Sequence, residues 1–261
     1  MGKYGIRVKW LSIASFEMDF GGTTVLSDPC ITVNDCSPCT WESVENVDLF
    51  TLSHGHWDHV TDFPVLAEKF PDAPILCGTL TAVPLMRWMN ANPMRVFPMD
   101  ANLELDFGGV KVKSIFGRHI MQPGGIYETE ESMRSRDIIG PEPNYLNLNL
   151  YGSIEYRNYL YTAPNGSKLL LWGNTPDEMA IRTLAPLQPD IAILQCSKQK
   201  PEELAQLAKA LGAKVVIPHH MDLHRTEEVY MPRVEAFRDA YLKLVPDGEF
   251  ICPKHGEWYE L

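Results

Sequence analysis

Four of the six residues in the run His54-Gly55-His56-Trp57-Asp58-His59 can ligate a divalent metal. Imidazole nitrogen and carboxylate oxygen are the usual ligands of zinc and other first-row dications. In extended backbone, alternate side chains share a face, so His54 and His56 can grip one ion. Gly55 between them permits a tight backbone path. As the chain turns into a helix, Asp58 and His59 swing toward a second point. Core packing does not account for this run, because clustered buried imidazoles are costly without a partner.

The remaining histidines are His119, His219, His220, His224 and His255. His119 follows the strand-like run 110–116, and His219 and His220 follow the apolar run 215–218. Strand ends that face a common edge are where sheets build sites. His219 is expected to stand behind a ligand or to face substrate, His224 to sit at a pocket rim, and His255 to lie on the surface. Arg118, Arg134 and Arg136 fall in a long segment beside His119 and could receive a phosphate or carboxylate. The interspersed Glu128, Glu130 and Glu131 fit a solvated loop equally well. Cys36-Ser-Pro-Cys39, with Cys30 nearby, lacks the second pair that a zinc knuckle needs, so free loop thiols are expected.

These residues need strands to place them. Ile6–Trp10, Ile13–Met18 and Thr23–Leu26 read as short strands, with Gly21-Gly22 as a turn. Asp48–Leu52 is a continuous apolar strand leading into the histidine run. Residues 64–91 predict two short helices around a buried strand at Ile75–Cys77. A hairpin follows, Leu103–Phe107 and Val110–Phe116, joined at Gly108-Gly109. Residues 118–145 show no clear periodicity, which in a compact domain usually marks a cover or a mobile segment. Leu146–Leu150 and Tyr156–Thr162 alternate as strands do, and Lys168–Trp172 and Ile191–Leu194 are apolar strands. Pro201–Leu211 is a helix with Pro at its first position and Gly212 as its stop. Val215–Ile217 is a strand, and a last helix is expected from about Pro232 to Leu244. Strands followed by helices occur twice, as two similar halves packed sheet to sheet would produce.

The run His-x-His-x-Asp-His resembles the hallmark of the metallo-β-lactamase-fold hydrolases, and the match is complete. Thr23-Thr-Val-Leu-Ser-Asp28-Pro29 is similar to the strand and Asp-Pro that precede it. Phe116-Gly-Arg-His119 resembles the strand bearing the third histidine, and Val216-Ile-Pro-His-His220 the Pro-x-His of the last ligand. These flanks are most similar to the ascorbate-6-phosphate-lactonase-like metal-dependent hydrolases. The resemblance implies an α/β (α+β) fold, a four-layer αβ/βα sandwich of two packed mixed sheets with outer helices. It implies one domain over 1–261, with similar halves at about 1–100 and 101–261. It further implies that His54, His56 and His119 bind one metal, and Asp58, His59 and His220 a second. Metal-activated water would then attack the substrate, with Asp58 also orienting it.

One position departs from the family. Leu171-Trp-Gly-Asn174-Thr175 is similar to the Gly-Asp-Thr segment that supplies a bridging aspartate, yet Asn174 stands there. A neutral amide coordinates weakly and offsets no charge, so a weaker second ion, a one-ion state or an altered metal preference is expected. Asp177 reads instead as a carboxylate at a helix start.

The bulk properties bound the partners. The 261 residues carry a formal charge of −11, which repels a phosphate backbone and argues against nucleic acid. No run approaches the roughly 20 apolar residues of a membrane span, and the N-terminus has no signal-peptide stretch. A cytoplasmic enzyme is expected, acting on a small and in part anionic ester, lactone or phosphoester. It would use one or two divalent ions, zinc first, then manganese or iron. A homo-oligomer is allowed. The competing readings are a phosphodiesterase or nuclease of the same fold, and a catalytically degenerate metal-binding sensor, which only Asn174 favours.

Overall fold

A computed structural model describes residues 2–117, 119, 148–149, 152 and 154–261. Its first sheet is built from the N-terminal half: β1 (Arg7–Ser12), β2 (Ser15–Asp19), β3 (Thr24–Ser27), β4 (Leu49–Thr51), β5 (Ile75–Gly78) and β6 (Val96–Met99). The second comprises β7 (Glu104–Phe107), β8 (Val110–Gly117), β9 (Tyr156–Thr162), β10 (Lys168–Trp172), β11 (Ile191–Gln195), β12 (Val215–His219) and β13 (Glu249–Phe250). A final strand, β14 (Trp258–Glu260), crosses back and pairs antiparallel with β1, completing two seven-stranded mixed sheets.

Side-chain alternation sorts each sheet into two faces. Along β11, Ile191 and Ile193 enter a core shared with Val8, Trp10, Phe16 and Leu49 of the first sheet. Ala192 and Leu194 point the other way, to Leu204, Leu207 and Leu211. The outer face of the first sheet is covered by α1 (Trp57–Val60), α2 (Phe63–Lys69) and α3 (Thr79–Met89). On the second sheet lie α4 (Glu178–Leu184), α5 (Pro201–Leu211) and α6 (Glu227–Leu244). The result is the four-layer helix–sheet–sheet–helix sandwich expected. Among the described residues, no helix is long and apolar enough to cross a membrane.

Local helix signals correspond to the structure where nothing distant competes. α5 starts on Pro201 and stops on Gly212 at φ +71°, a left-handed position that glycine occupies at no steric cost. α6 begins at Glu227 rather than near Pro232. Thr226 precedes it, Glu227 and Glu228 suit its positive end, and Tyr230, Val234, Phe237 and Tyr241 give it one buried face. Pro232 is therefore an internal residue. The expected strand at 146–150 is also corrected. Only Leu148 and Asn149 of that run are described, and both are helical and buried, with Leu148 against the histidine loop.

Candidate metal centre

β3 and β4 run parallel, with Ser27 opposite Thr51, so the residues just beyond them emerge side by side. Asp28, at φ +39°, turns its carboxylate across that edge. One oxygen accepts from the Ser53 amide at 2.6 Å; the other accepts from the Ser53 hydroxyl at 2.7 Å and sits 2.8 Å from His59 Nδ1. All three residues are buried. His56 then caps α1 in extended backbone, which places Asp58 and His59 in the helix's first turn. Gly55 proves necessary for a neighbour rather than for its own dihedral angles: a Cβ there would collide with the Leu148 carbonyl.

Two triads result. His54, His56 and His119 form one, Asp58, His59 and His220 the other, and within each the ligand atoms lie inside 4.8 Å of one another. His119 follows β8, and His220 leaves β12 at φ +60°. The imidazoles crowd together, with centroids 4.1 Å apart for His54–His59, 4.4 Å for His56–His119 and 5.3 Å for His59–His220. His220 Nε2 is 3.3 Å from Asp58 Oδ2.

The electrostatics of His54, His56 and His119 are those of ligands. Burial, then the neighbouring imidazoles, hold His54 well below the ordinary histidine range. Burial and His119 push His56 down to about 3. Burial is also the main reason His119 falls to about 4, with His59 and the exposed Lys198 adding to it. These rings are neutral at pH 7, as ligation requires. Burial opposes the charge of Asp58, but His59, His220 and His56 outweigh it and hold the carboxyl far below its usual range. Burial likewise opposes a proton on His59, and Asp28 and Asp58 overcome it.

A divalent ion fits this donor set. His54 Nδ1 lies 3.0 Å from the Ser53 hydroxyl, while His54 Nε2 is buried with no hydrogen-bond partner among the described residues. An orphaned buried nitrogen is costly unless something occupies its lone pair. His59 through Asp28, and His56 through the Asn149 backbone, have one ring nitrogen engaged in the same manner. Fixing one nitrogen from behind is how proteins orient metal-binding imidazoles.

Asn174 is buried, and its side chain is committed. The Gly173 N–H donates to Asn158 Oδ1 at 3.0 Å, so Asn158 must turn its Nδ2 outward, and this donates to Asn174 Oδ1 at 2.6 Å. The backbone donor thus settles both amide orientations. The oxygen with which Asn174 would coordinate is already hydrogen bonded. Asp177 caps α4, accepting from the Ala180 amide at 2.8 Å, in keeping with a helix-start carboxylate.

Three expectations about flanking residues fare differently. His219 is buried in the core. Alternation along β12 puts it on the same side as Val215 and Ile217, in the inter-sheet core, with Nε2 3.0 Å from the Trp172 carbonyl. His255 is not a surface residue: it stacks on Trp10 at 4.0 Å and hydrogen bonds Asp222. Arg118, Arg134 and Arg136 lie outside the described residues. An open cleft of about 280 Å³ beside the centre is lined by Phe116, His119, Asn174, Thr175, Met179 and Thr183. The supporting role of Asp28 was missed by sequence reasoning, although its pairing with the histidine run follows from two adjacent parallel strands.

Two facing metal-ligand triads at the end of a sheet sandwich define a metallo-β-lactamase-fold protein. The chain belongs to the beta-lactamase superfamily, whose domain model matches residues 7–220. It is 27% identical to a UPF0173 metal-dependent hydrolase of Geobacillus sp. (strain WCH70), covering 98% of this chain and 100% of that protein. A UPF0173 metal-dependent hydrolase of Aeropyrum pernix is 31% identical over 115 residues, a match that spans only 47% of that relative. Among solved structures, a metallo hydrolase of Ignicoccus hospitalis superposes with a TM-score of 0.71 at 15% identity, covering 98% of this chain and 99% of that one.

Proposed function

We propose that this chain is a metal-dependent hydrolase acting through activated water on a small ester, lactone or phosphoester. The carrying observation is the pair of triads, in one of which His54 Nε2 is buried with no hydrogen-bond partner among the described residues. His54, His56 and His119 would hold one ion, and Asp58, His59 and His220 a second, with zinc the best fit to a nitrogen-rich set and manganese or iron as alternatives. Bound there, divalent ions lower the pKa of water and polarise a carbonyl or phosphoryl oxygen. The chain's own contribution is placement. Asp58 stays anionic, accepts a hydrogen bond from the attacking water and directs it. The cleft lined by Phe116 and Met179 receives the substrate beside His119.

The substrate is a small molecule, and charge favours one with an anionic group. Asp58 is the single carboxylate among the six ligands, so two dications would leave a strongly positive centre, with Lys198 adding to the field at His119. The chain's charge of −11 does not suit a nucleic acid.

Elemental analysis together with a panel of lactones, esters and phosphodiesters tests this reading, with zinc, manganese and iron each supplied. At least one divalent ion per chain is expected, with turnover that a chelator removes and re-addition restores. Less than one ion per chain, or no turnover of any of these bonds, would overturn it.

A further inference from the structure

His220 and Ile13 face each other across the two halves of the chain in the same unusual conformation. His220 has φ +60° and Ile13 φ +46°, and neither is glycine. For a β-branched residue this is a genuine outlier that its surroundings must impose. Ile13 was expected to open a strand, but β1 ends at Ser12 and β2 begins at Ser15, leaving Ile13 in the turn, fully buried.

What imposes the turn is Asp222. Its two carboxylate oxygens accept from the Ile13 amide at 3.1 and 3.2 Å, and the Ile13 carbonyl in turn accepts from the His220 amide at 2.8 Å. Residues 220 and 222 thereby clasp both polar groups of one distant residue. Asp222 is completely buried, and its remaining capacity is filled from behind. Asn34 Nδ2, also bonded to Ser12 Oγ, donates to Oδ2 at 2.6 Å; His255 Nε2 lies 2.9 Å from the same oxygen, its ring stacked on Trp10. The Trp10 indole donates to the Ile13 carbonyl at 3.2 Å. A buried carboxylate is expensive unless fully hydrogen bonded, and this one is satisfied by groups whose common result is the Ile13 turn.

We propose that Asp222 is a positioning residue for His220: through Ile13, and braced by His255, Asn34 and Trp10, it holds the imidazole in the left-handed conformation that aims it at Asp58 and His59. The proposal rests on His220 being a metal ligand as read above, but every contact it invokes is between the chain's own atoms. Local chain preference works against this conformation, since His220 would otherwise continue β12 in extended backbone. His255, near the chain's end, is thus part of the apparatus behind the centre.

The test is Asp222→Ala, read first in the metal-free protein. Histidine ring NMR is expected to show the His220 resonances displaced while those of His54, His56 and His119 keep their positions. In zinc titrations of chelator-stripped protein, binding at Asp58, His59 and His220 is expected to weaken 10- to 100-fold, the range for residues that orient ligands, with the other site within about threefold. If Asp222→Ala does not fold, His255→Ala removes a donor to Asp222 without touching Ile13 or His220, and a smaller displacement of His220 alone is expected. Unmoved His220 resonances, or equal displacement of all the ligand histidines, would overturn the proposal. If the parent takes up no zinc, the metal reading fails, while the NMR comparison still decides whether Asp222 sets His220.

Discussion

Asp28→Asn is the most direct probe of how the centre is held. The substitution keeps shape and volume and changes a single atom's hydrogen-bonding character. The Ser53 amide can only donate, so the introduced carboxamide must leave its oxygen there, at the 2.6 Å contact. Its Nδ2 then occupies the place of Oδ2, which sits 2.7 Å from the Ser53 hydroxyl and 2.8 Å from His59 Nδ1. Ser53 can rotate its hydroxyl and accept. His59 cannot adapt so cheaply: with a donor facing Nδ1, its proton must move to Nε2, the nitrogen left for the second triad. A protonated Nε2 has no lone pair for a metal.

The magnitude follows from this forced tautomer. Removing a carboxylate that orients a metal-binding imidazole costs about 10- to 100-fold in metal affinity, or roughly 1.4–2.7 kcal/mol. The buried, charge-assisted bond at 2.8 Å puts this site toward the upper end, since such bonds contribute about 1.5–3 kcal/mol. Calorimetric titration of zinc into chelator-stripped protein measures it. The loss is expected at Asp58, His59 and His220, with His54, His56 and His119 less affected because their triad does not include His59. Affinities of both sites within about threefold of the parent would refute the argument that Asp28 sets the tautomer.

Two further outcomes follow from the same geometry. Asn174→Asp supplies a charged ligand where the amide oxygen is occupied by Asn158, so binding of the second ion is expected to tighten about tenfold or more by electrostatic attraction; unchanged stoichiometry and affinity by elemental analysis and calorimetry would remove Asn174 as the cause of an asymmetric centre. Stability of the metal-free chain depends on pH through its buried neutral histidines. His56 and His219 are pushed down to about 3 by burial first of all, and His119 to about 4, so below about pH 6.5 these three sites bind more protons in the unfolded chain than in the folded one. Each such histidine is expected to remove about 1.4 kcal/mol per pH unit from about 6.5 down toward 4, and urea unfolding with the same midpoint at pH 7.5 and pH 5 would contradict this.

The parts of this centre legible in the sequence were those encoded locally or by strand order. The His54–His59 run needs only the alternation of an extended segment and the start of a helix. His119 and the pair His219 and His220 could be singled out because each follows an apolar strand, and the family resemblance assigned His119 and His220 to the two sites. Two successive sets of strands and helices pointed to similar halves packed sheet to sheet, and the family resemblance added the four layers. What escaped was long-range or depended on competing rules. β14 pairs with β1 from the opposite end of the chain, and nothing within its three residues announces that partner. Asp222 meets Ile13 at a separation of 209 residues. Pro98 disguised β6, an edge strand where a missing N–H is tolerated. His219 was open to a better reading, since its parity with Val215 and Ile217 already pointed it into the core.

The arrangement of the triads also says what the ions would do for the fold. Each triad takes two ligands from the loop and helix start after β4, in the first sheet, and one from the second sheet: His119 after β8, His220 after β12. Neither site can form within one half of the chain. The two sheets must be packed for the ligand atoms to converge inside 4.8 Å, and the inter-sheet core of Trp10, Phe16, Tyr159 and Tyr161 supplies that packing. Asp28 and Asp222 then fix one ligand from each side, His59 on the first sheet's loop and His220 at the second sheet's edge. An ion bound there would meet imidazoles held from behind by the chain's own groups. Pre-organisation of this kind is what an activated-water mechanism requires, because a nucleophile held within a fraction of an ångström of its line of attack gains more than one held by flexible ligands.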